Sequence, residues 1–123
     1  MKASRRSIIV LVLLVLGIGV ANQWWSGRHQ ADLGARLAAL AQPGDLHMLS
    51  SQTCAICTAS RLWMERHRVS FSECIIETDA ACAAQFEATR APGTPVMLVR
   101  DQPQLGFDAQ RIIDTLNRAA PRS

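Results

Sequence analysis

The chain has 123 residues, a formal net charge of +3 and four cysteines. That length allows one small domain and an appendage, and four cysteines are too few for a scaffold stapled by disulfides alone. The charge is unevenly placed: five basic residues against Asp32 make residues 1–42 net +4, and eight arginines against nine acids make residues 43–123 net −1, so nothing in the C-terminal part has the basic patch of a nucleic-acid binder.

Lys2, Arg5 and Arg6 precede an apolar run from Ile8 to Ala21. A positive head before such a run is a membrane-targeting pattern. The positive-inside rule keeps the head in the cytoplasm and sends the C-terminal remainder of the chain across. The uncharged stretch from Ser7 to Gly27 is about 20 residues, enough to cross a bilayer as a helix. Trp24 and Trp25 would then lie at the far interface, where indoles collect. The small residues Gly19-Val20-Ala21 also fit a signal-peptidase site, so a cleaved signal peptide is the other reading. Ser4-Arg5-Arg6 has features of a twin-arginine export signal. A buried soluble helix is the last alternative, but the remaining chain is too small to cover it on all sides. The expected location is the inner (cytoplasmic) membrane, crossed once, with the C-terminal domain in the periplasm. After cleavage it would be the periplasm itself.

Residues 1–27 thus read as a signal-anchor or transmembrane segment, 28–44 as a linker with a short helix, and 45–123 as the domain. Within the linker, Leu33, Leu37 and Leu40 share one face of a helix over 32–41, which Pro43-Gly44 stops. It is either the first element of the domain or a spacer from the membrane. Leu46 to Leu49 reads as a strand. A helix comes next, from about Cys54 to His67, expected to bury Ile56, Ala59, Leu62, Trp63 and the stem of Arg66. Val69 to Ile76 alternates as a second strand. Asp79 caps a helix over 80–89. Ala91 to Pro95 is a turn, and Val96 to Val99 is a continuous apolar run, hence a buried strand. Arg100 to Pro103 reads as a tight turn, Gln104 to Phe107 as a short edge strand, and Asp108 as the cap of a last helix over 109–119. The order βαβαββα implies an α/β domain with a mixed four-stranded sheet flanked by helices.

The chemistry concentrates at Ser51-Gln52-Thr53-Cys54-Ala55-Ile56-Cys57. Cysteines spaced Cys-x-x-Cys on a first helical turn bring both sulfurs to the same end, where unpaired N–H groups and the helix dipole point. A thiolate is stabilised there and becomes nucleophilic. Cys74 and Cys82 are open to two readings: buried cysteines acting as small apolar residues, or a structural disulfide, which an oxidising compartment favours. His47 and His67 read as solvated or capping, Trp63 as core, and Glu65 and Glu77 as surface.

Taken together, the strand, Ser51-x-x-Cys54-x-x-Cys57, helix, strand, helix, Thr94-Pro95, strand, hairpin, Gly106-Phe107-Asp108 and final helix resemble the glutaredoxin branch of the thioredoxin superfamily, over about residues 45–120. The resemblance implies a thioredoxin-like domain of glutaredoxin type. It implies a cis Thr94–Pro95 bond with Pro95 against the active-site disulfide, and a Thr94 backbone that pairs with an extended substrate. Thr53, Ala55 and Ile56 would contact substrate around the cysteines. Gly106-Phe107-Asp108 partly matches the Gly-Gly-x-Asp segment that holds the glutathione carboxylate. The chain departs from the pattern at Ser51, where a Lys or Arg is usual, at Ala55-Ile56, where Pro-Tyr is usual, and at Gly93-Thr94, where Thr-Val is frequent.

The implied activity is thiol–disulfide exchange on protein (or glutathione) disulfides, with no metal or organic cofactor. Cys54 attacks a substrate disulfide and Cys57 resolves the mixed disulfide. Its partners are protein thiols and disulfides, a separate thiol–disulfide electron donor or acceptor, and the membrane through residues 7–27. A second class uses the same sulfurs: Thr53-Cys54-Ala55-Ile56-Cys57 is similar to the Met-Thr-Cys-x-x-Cys loop of copper-carrying domains, so a membrane-tethered Cu(I)-binding or metallochaperone module is the alternative. That fold lacks a Thr-Pro before a buried strand, and zinc would need a second pair of close ligands that Cys74 and Cys82, eight residues apart, do not offer.

Overall fold

The structure, a computed structural model, describes residues 4–119. The elements are α1 (Arg5–Leu40), β1 (Leu46–Ser50), α2 (Ala55–Arg66), β2 (Ser72–Ile75), α3 (Ala80–Thr89), β3 (Val96–Val99), β4 (Gln102–Leu105) and α4 (Ala109–Arg118). Contacts divide the chain into two units that meet between Asp32 and Leu33.

The first unit is helical. Its aliphatic residues from Ile8 to Val20 are each half or more exposed, and the helix is long and apolar enough to cross a membrane. The Arg28 guanidinium lies 3.9 Å from the centre of the Trp24 ring, a cation–π contact one helical turn apart. The linker with a separate short helix over 32–41 expected from the sequence gives way to one continuous α1. Residues 22–30 contain no proline, and Gly27 alone does not end a helix.

The second unit begins inside α1, because Leu33 and Leu37 are buried in its core. Its sheet has the order β2-β1-β3-β4. β1 runs parallel to β2 and antiparallel to β3, and β3 pairs antiparallel with β4. Strand residues alternate between faces. Leu46, Met48, Met97 and Val99 join Leu33 and Leu37 of α1, Met64 of α2 and Ile112, Ile113 and Leu116 of α4. On the other face Leu49 and Val96 pack with Cys82 and Phe86 of α3. The mixed sheet is therefore covered on both sides.

Two local readings are corrected. The last hairpin turns at Arg100 and Asp101, with φ 48° and 69°, so β4 starts at Gln102 and not at Gln104. A two-residue loop with positive φ at both positions matches the twist of paired strands. Pro103 is tolerated because β4 is an edge. Arg100 also ties the far end of α4: its guanidinium donates to the carbonyls of Leu116 and Ala119 and to the buried Asp45 carboxylate. The second correction concerns α2. Ile56 and Leu62 are 62% and 50% exposed and Ala59 is exposed as well, while the buried residues are Cys57, Ser60 and Met64. These keep the helical spacing i, i+3, i+7, but the polar Ser60 hid it. Its hydroxyl is satisfied by donating to the Ile56 carbonyl at 2.7 Å.

Candidate active site

β1 delivers the chain to a turn over Ser51 to Thr53, and α2 begins at once. Cys54 is the N-cap of α2, with extended backbone at φ −96° and ψ 103°. Its Sγ accepts a hydrogen bond from the Cys57 N–H at 3.0 Å, so a first-turn donor of the helix is aimed at this sulfur. Cys54 and Cys57 form a disulfide across a Cα–Cα distance of 5.2 Å. The two are unequal. Cys57 is fully buried and Cys54 is partly exposed, so an incoming group reaches Cys54 first.

Thr53, Ala55 and Ile56 flank the disulfide and are exposed. Pro95 is buried, and the Thr94–Pro95 bond is cis. The β1–β3 register pairs Leu49 with Val96. One step further, it sets Pro95 opposite Ser50, at the end of the sheet from which the cysteine loop departs. The Pro95 carbonyl accepts from the Gly106 N–H at 2.8 Å, which draws Gly106 to the same end. Phe107 packs on Trp63 of α2 with ring centres 5.3 Å apart. The Asp108 carboxylate caps α4 by accepting from the Arg111 N–H at 3.1 Å. Phe107 and Asp108 thus have structural work of their own.

Cys74 and Cys82 are joined in a second disulfide, with Cα atoms 5.9 Å apart. It links β2 to the first turn of α3, where Asp79 caps the helix through the Cys82 N–H.

Two carboxylates brace the cysteine loop, and neither was singled out from the sequence as a site residue. Glu73 of β2 accepts from the buried Ser50 hydroxyl at 2.8 Å and from Arg61 Nε of α2 at 2.9 Å, so one acid joins the strand before the loop to the helix after it. Glu77 accepts from the Ser51 hydroxyl and from the Gln52 N–H at 3.2 Å. The Ser51 bond, first among the causes, holds the Glu77 carboxyl below its ordinary range. The parallel pairing of β1 with β2 sets Glu73 beside Met48, a contact that no local pattern in the sequence marks. No sequence pattern pointed to Glu77.

No protein-family model matches the chain, and no curated protein gives a significant match. Among solved structures, the crystal structure of the thioredoxin-like protein BC3987, in a point-mutant form, superposes with a TM-score of 0.50 at 18% sequence identity. The match covers 58% of this chain and 99% of that one. The fold is thioredoxin-like.

Proposed function

We propose that this chain is a thiol–disulfide oxidoreductase of glutaredoxin type, held at the cytoplasmic membrane by residues 7–27 with its domain on the periplasmic side. The observation that carries the reading is the Cys54–Cys57 pair at the start of α2, with a half-open Cys54 whose sulfur accepts the Cys57 N–H and a fully buried Cys57. In the reducing direction, Cys54 as thiolate attacks one sulfur of a substrate disulfide and expels the other as thiolate. Cys57 then attacks Cys54 Sγ, the substrate leaves as a dithiol after protonation, and the pair is left as the disulfide. The oxidising direction is the same sequence reversed. The N–H of Cys57 and the helix dipole stabilise the Cys54 thiolate in both directions. Thr94, Thr53, Ala55, Ile56 and Gly106 form the proposed substrate surface around it.

The basic head before the apolar helix supports the membrane placement. The Cys74–Cys82 disulfide supports an oxidising compartment. The deciding experiment is insulin reduction driven by dithiothreitol, run beside Cu(I) titration of the reduced protein. Acceleration over dithiothreitol alone that Cys54→Ser abolishes supports the reading. Tight stoichiometric Cu(I) binding with no acceleration contradicts it and favours a copper-handling module.

A further inference from the structure

Glu77 sits in the turn between β2 and α3 and is exposed, yet its carboxylate takes two hydrogen bonds from the cysteine loop. Within that loop the other bonds are long: Thr53 N–H to Ser51 Oγ at 3.4 Å and Cys54 N–H to the Ser51 carbonyl at 3.3 Å, longer than a usual N–H to oxygen bond. The Ser51 hydroxyl is therefore the hub. It donates to Glu77 and, so oriented, accepts from Thr53.

An exposed side-chain bond contributes little unless both ends are already held in place. Here both are. The Ser50 carbonyl accepts from the Ile76 N–H at 2.9 Å, and the Ile75 carbonyl accepts from the N–H groups of Thr78 and Asp79. Asp79 then caps α3 through the Cys82 N–H at 3.1 Å. The Cys74–Cys82 disulfide closes across the whole turn. Cys82 is 1% exposed and Cys74 is partly buried, so soluble thiols have little access to the Cys82 sulfur.

We propose that Glu77 is a positioning residue for Cys54, and that the Cys74–Cys82 disulfide is the clamp that holds Glu77 against the cysteine loop. The proposal rests on the reading of Cys54 and Cys57 as a redox pair. Glu77 acts through Ser51 and Gln52, fixing the turn that puts Cys54 at the helix N-cap. It also acts through its charge. Gln52 is two residues from Cys54, a separation of at most about 7.6 Å between Cα atoms. A carboxylate bound there opposes a thiolate on Cys54 and favours the disulfide. In water that effect amounts to about two- to threefold in the equilibrium, and salt screens it.

The test is the pH dependence of Cys54 alkylation by iodoacetamide, measured in a Cys57→Ser background, with the dithiothreitol redox equilibrium measured on the intact pair. Glu77→Gln removes the charge and keeps one acceptor. It should move the alkylation profile to lower pH and shift the redox equilibrium about two- to threefold toward the dithiol. Glu77→Asp, which retains the charge, should stay nearer the wild type, and high salt should bring the wild type toward Glu77→Gln. A Cys74→Ala/Cys82→Ala double variant with an unchanged circular dichroism spectrum should shift the profile in the same direction. An unchanged profile in Glu77→Gln would overturn the positioning role. An unchanged profile, or loss of fold, in the double variant would overturn the clamp. Alkylation needs no substrate. A wild type that fails to reduce insulin while Glu77→Gln still shifts the profile would therefore remove the oxidoreductase reading alone.

Discussion

Gly34 of α1 lies against the ring of His67, so closely that a Cβ added at Gly34 would overlap the ring's Nδ1 and Cγ. His67 in turn packs at a tilt against Trp63, with ring centres 4.4 Å apart, and Trp63 likewise against Phe107. This row connects α1, the end of α2 and the approach to α4. It explains why a glycine is kept in a helix where alanine has the better intrinsic propensity.

Gly34→Ala should therefore destabilise the second unit by about 1–3 kcal/mol, the usual cost of overpacking, although propensity alone would stabilise it. Pairing it with His67→Ala opens the space. Urea unfolding followed by tryptophan fluorescence should show the double variant less destabilised than the sum of the two single ones. Simple additivity would mean that the contact does not limit packing.

Arg100 and Asp45 give a second stability test. Their side chains are 12% and 4% exposed, and the Arg100 guanidinium also holds two carbonyls at the end of α4. Arg100→Met leaves Asp45 buried without its cation and should cost about 3 kcal/mol. Adding Asp45→Asn should return part of that loss. Thermal unfolding of the wild type, the two single variants and the double variant measures the coupling, and a neutral Arg100→Met would contradict the importance of this pair.

The Glu77 carboxyl is held below its ordinary value, first by the Ser51 hydroxyl bond. A group whose folded value is lowered contributes stability that is present above the unfolded value and lost as pH falls through the folded one. The brace on the cysteine loop should thus be intact at neutral pH and weaken only below the ordinary value of 4.5. Titration of the Glu77 side-chain carbon by NMR should show the lowered midpoint, and Ser51→Ala should move it back toward 4.5. A midpoint indifferent to Ser51→Ala would mean that the bond is not the cause.

Much of the fold could be read in the chain because local signals agreed with it. Asp79 and Asp108 cap helices as their positions indicate, and the apolar run at Val96 became a buried strand within its expected limits. The sheet hairpin was misplaced because Arg100 and Asp101 adopt positive φ without the Asn-Gly signature of such turns. The buried face of α2 was misjudged because it runs through Cys57, Ser60 and Met64, whose central member is polar. At the site, the cysteine spacing was legible from local chemistry. The braces at Glu73 and Glu77 were not, since both depend on β2 pairing beside β1, a contact between residues about 25 positions apart.

Compartment has its own test. The basic residues Lys2, Arg5 and Arg6 lie ahead of a helix long and apolar enough to cross a membrane. Alkaline phosphatase fused after Ser123 should be active in a bacterial host, because it folds only outside the cytoplasm. An inactive phosphatase fusion, with a cytoplasmic reporter active at the same position, would place the domain on the other side.

The most direct measurement of the redox role is mixed-disulfide trapping. Cys54 is partly exposed, and Cys57 is fully buried behind it. The Cys57→Ser variant keeps the attacking sulfur and lacks the resolving one, so it should accumulate covalent adducts with disulfide-bearing proteins. These adducts should run at high mass on non-reducing gels and collapse on addition of dithiothreitol. The Cys54→Ser variant should trap nothing above background. Equal trapping by both variants, or trapping by Cys54→Ser alone, would contradict the assignment of Cys54 as nucleophile and Cys57 as resolving cysteine.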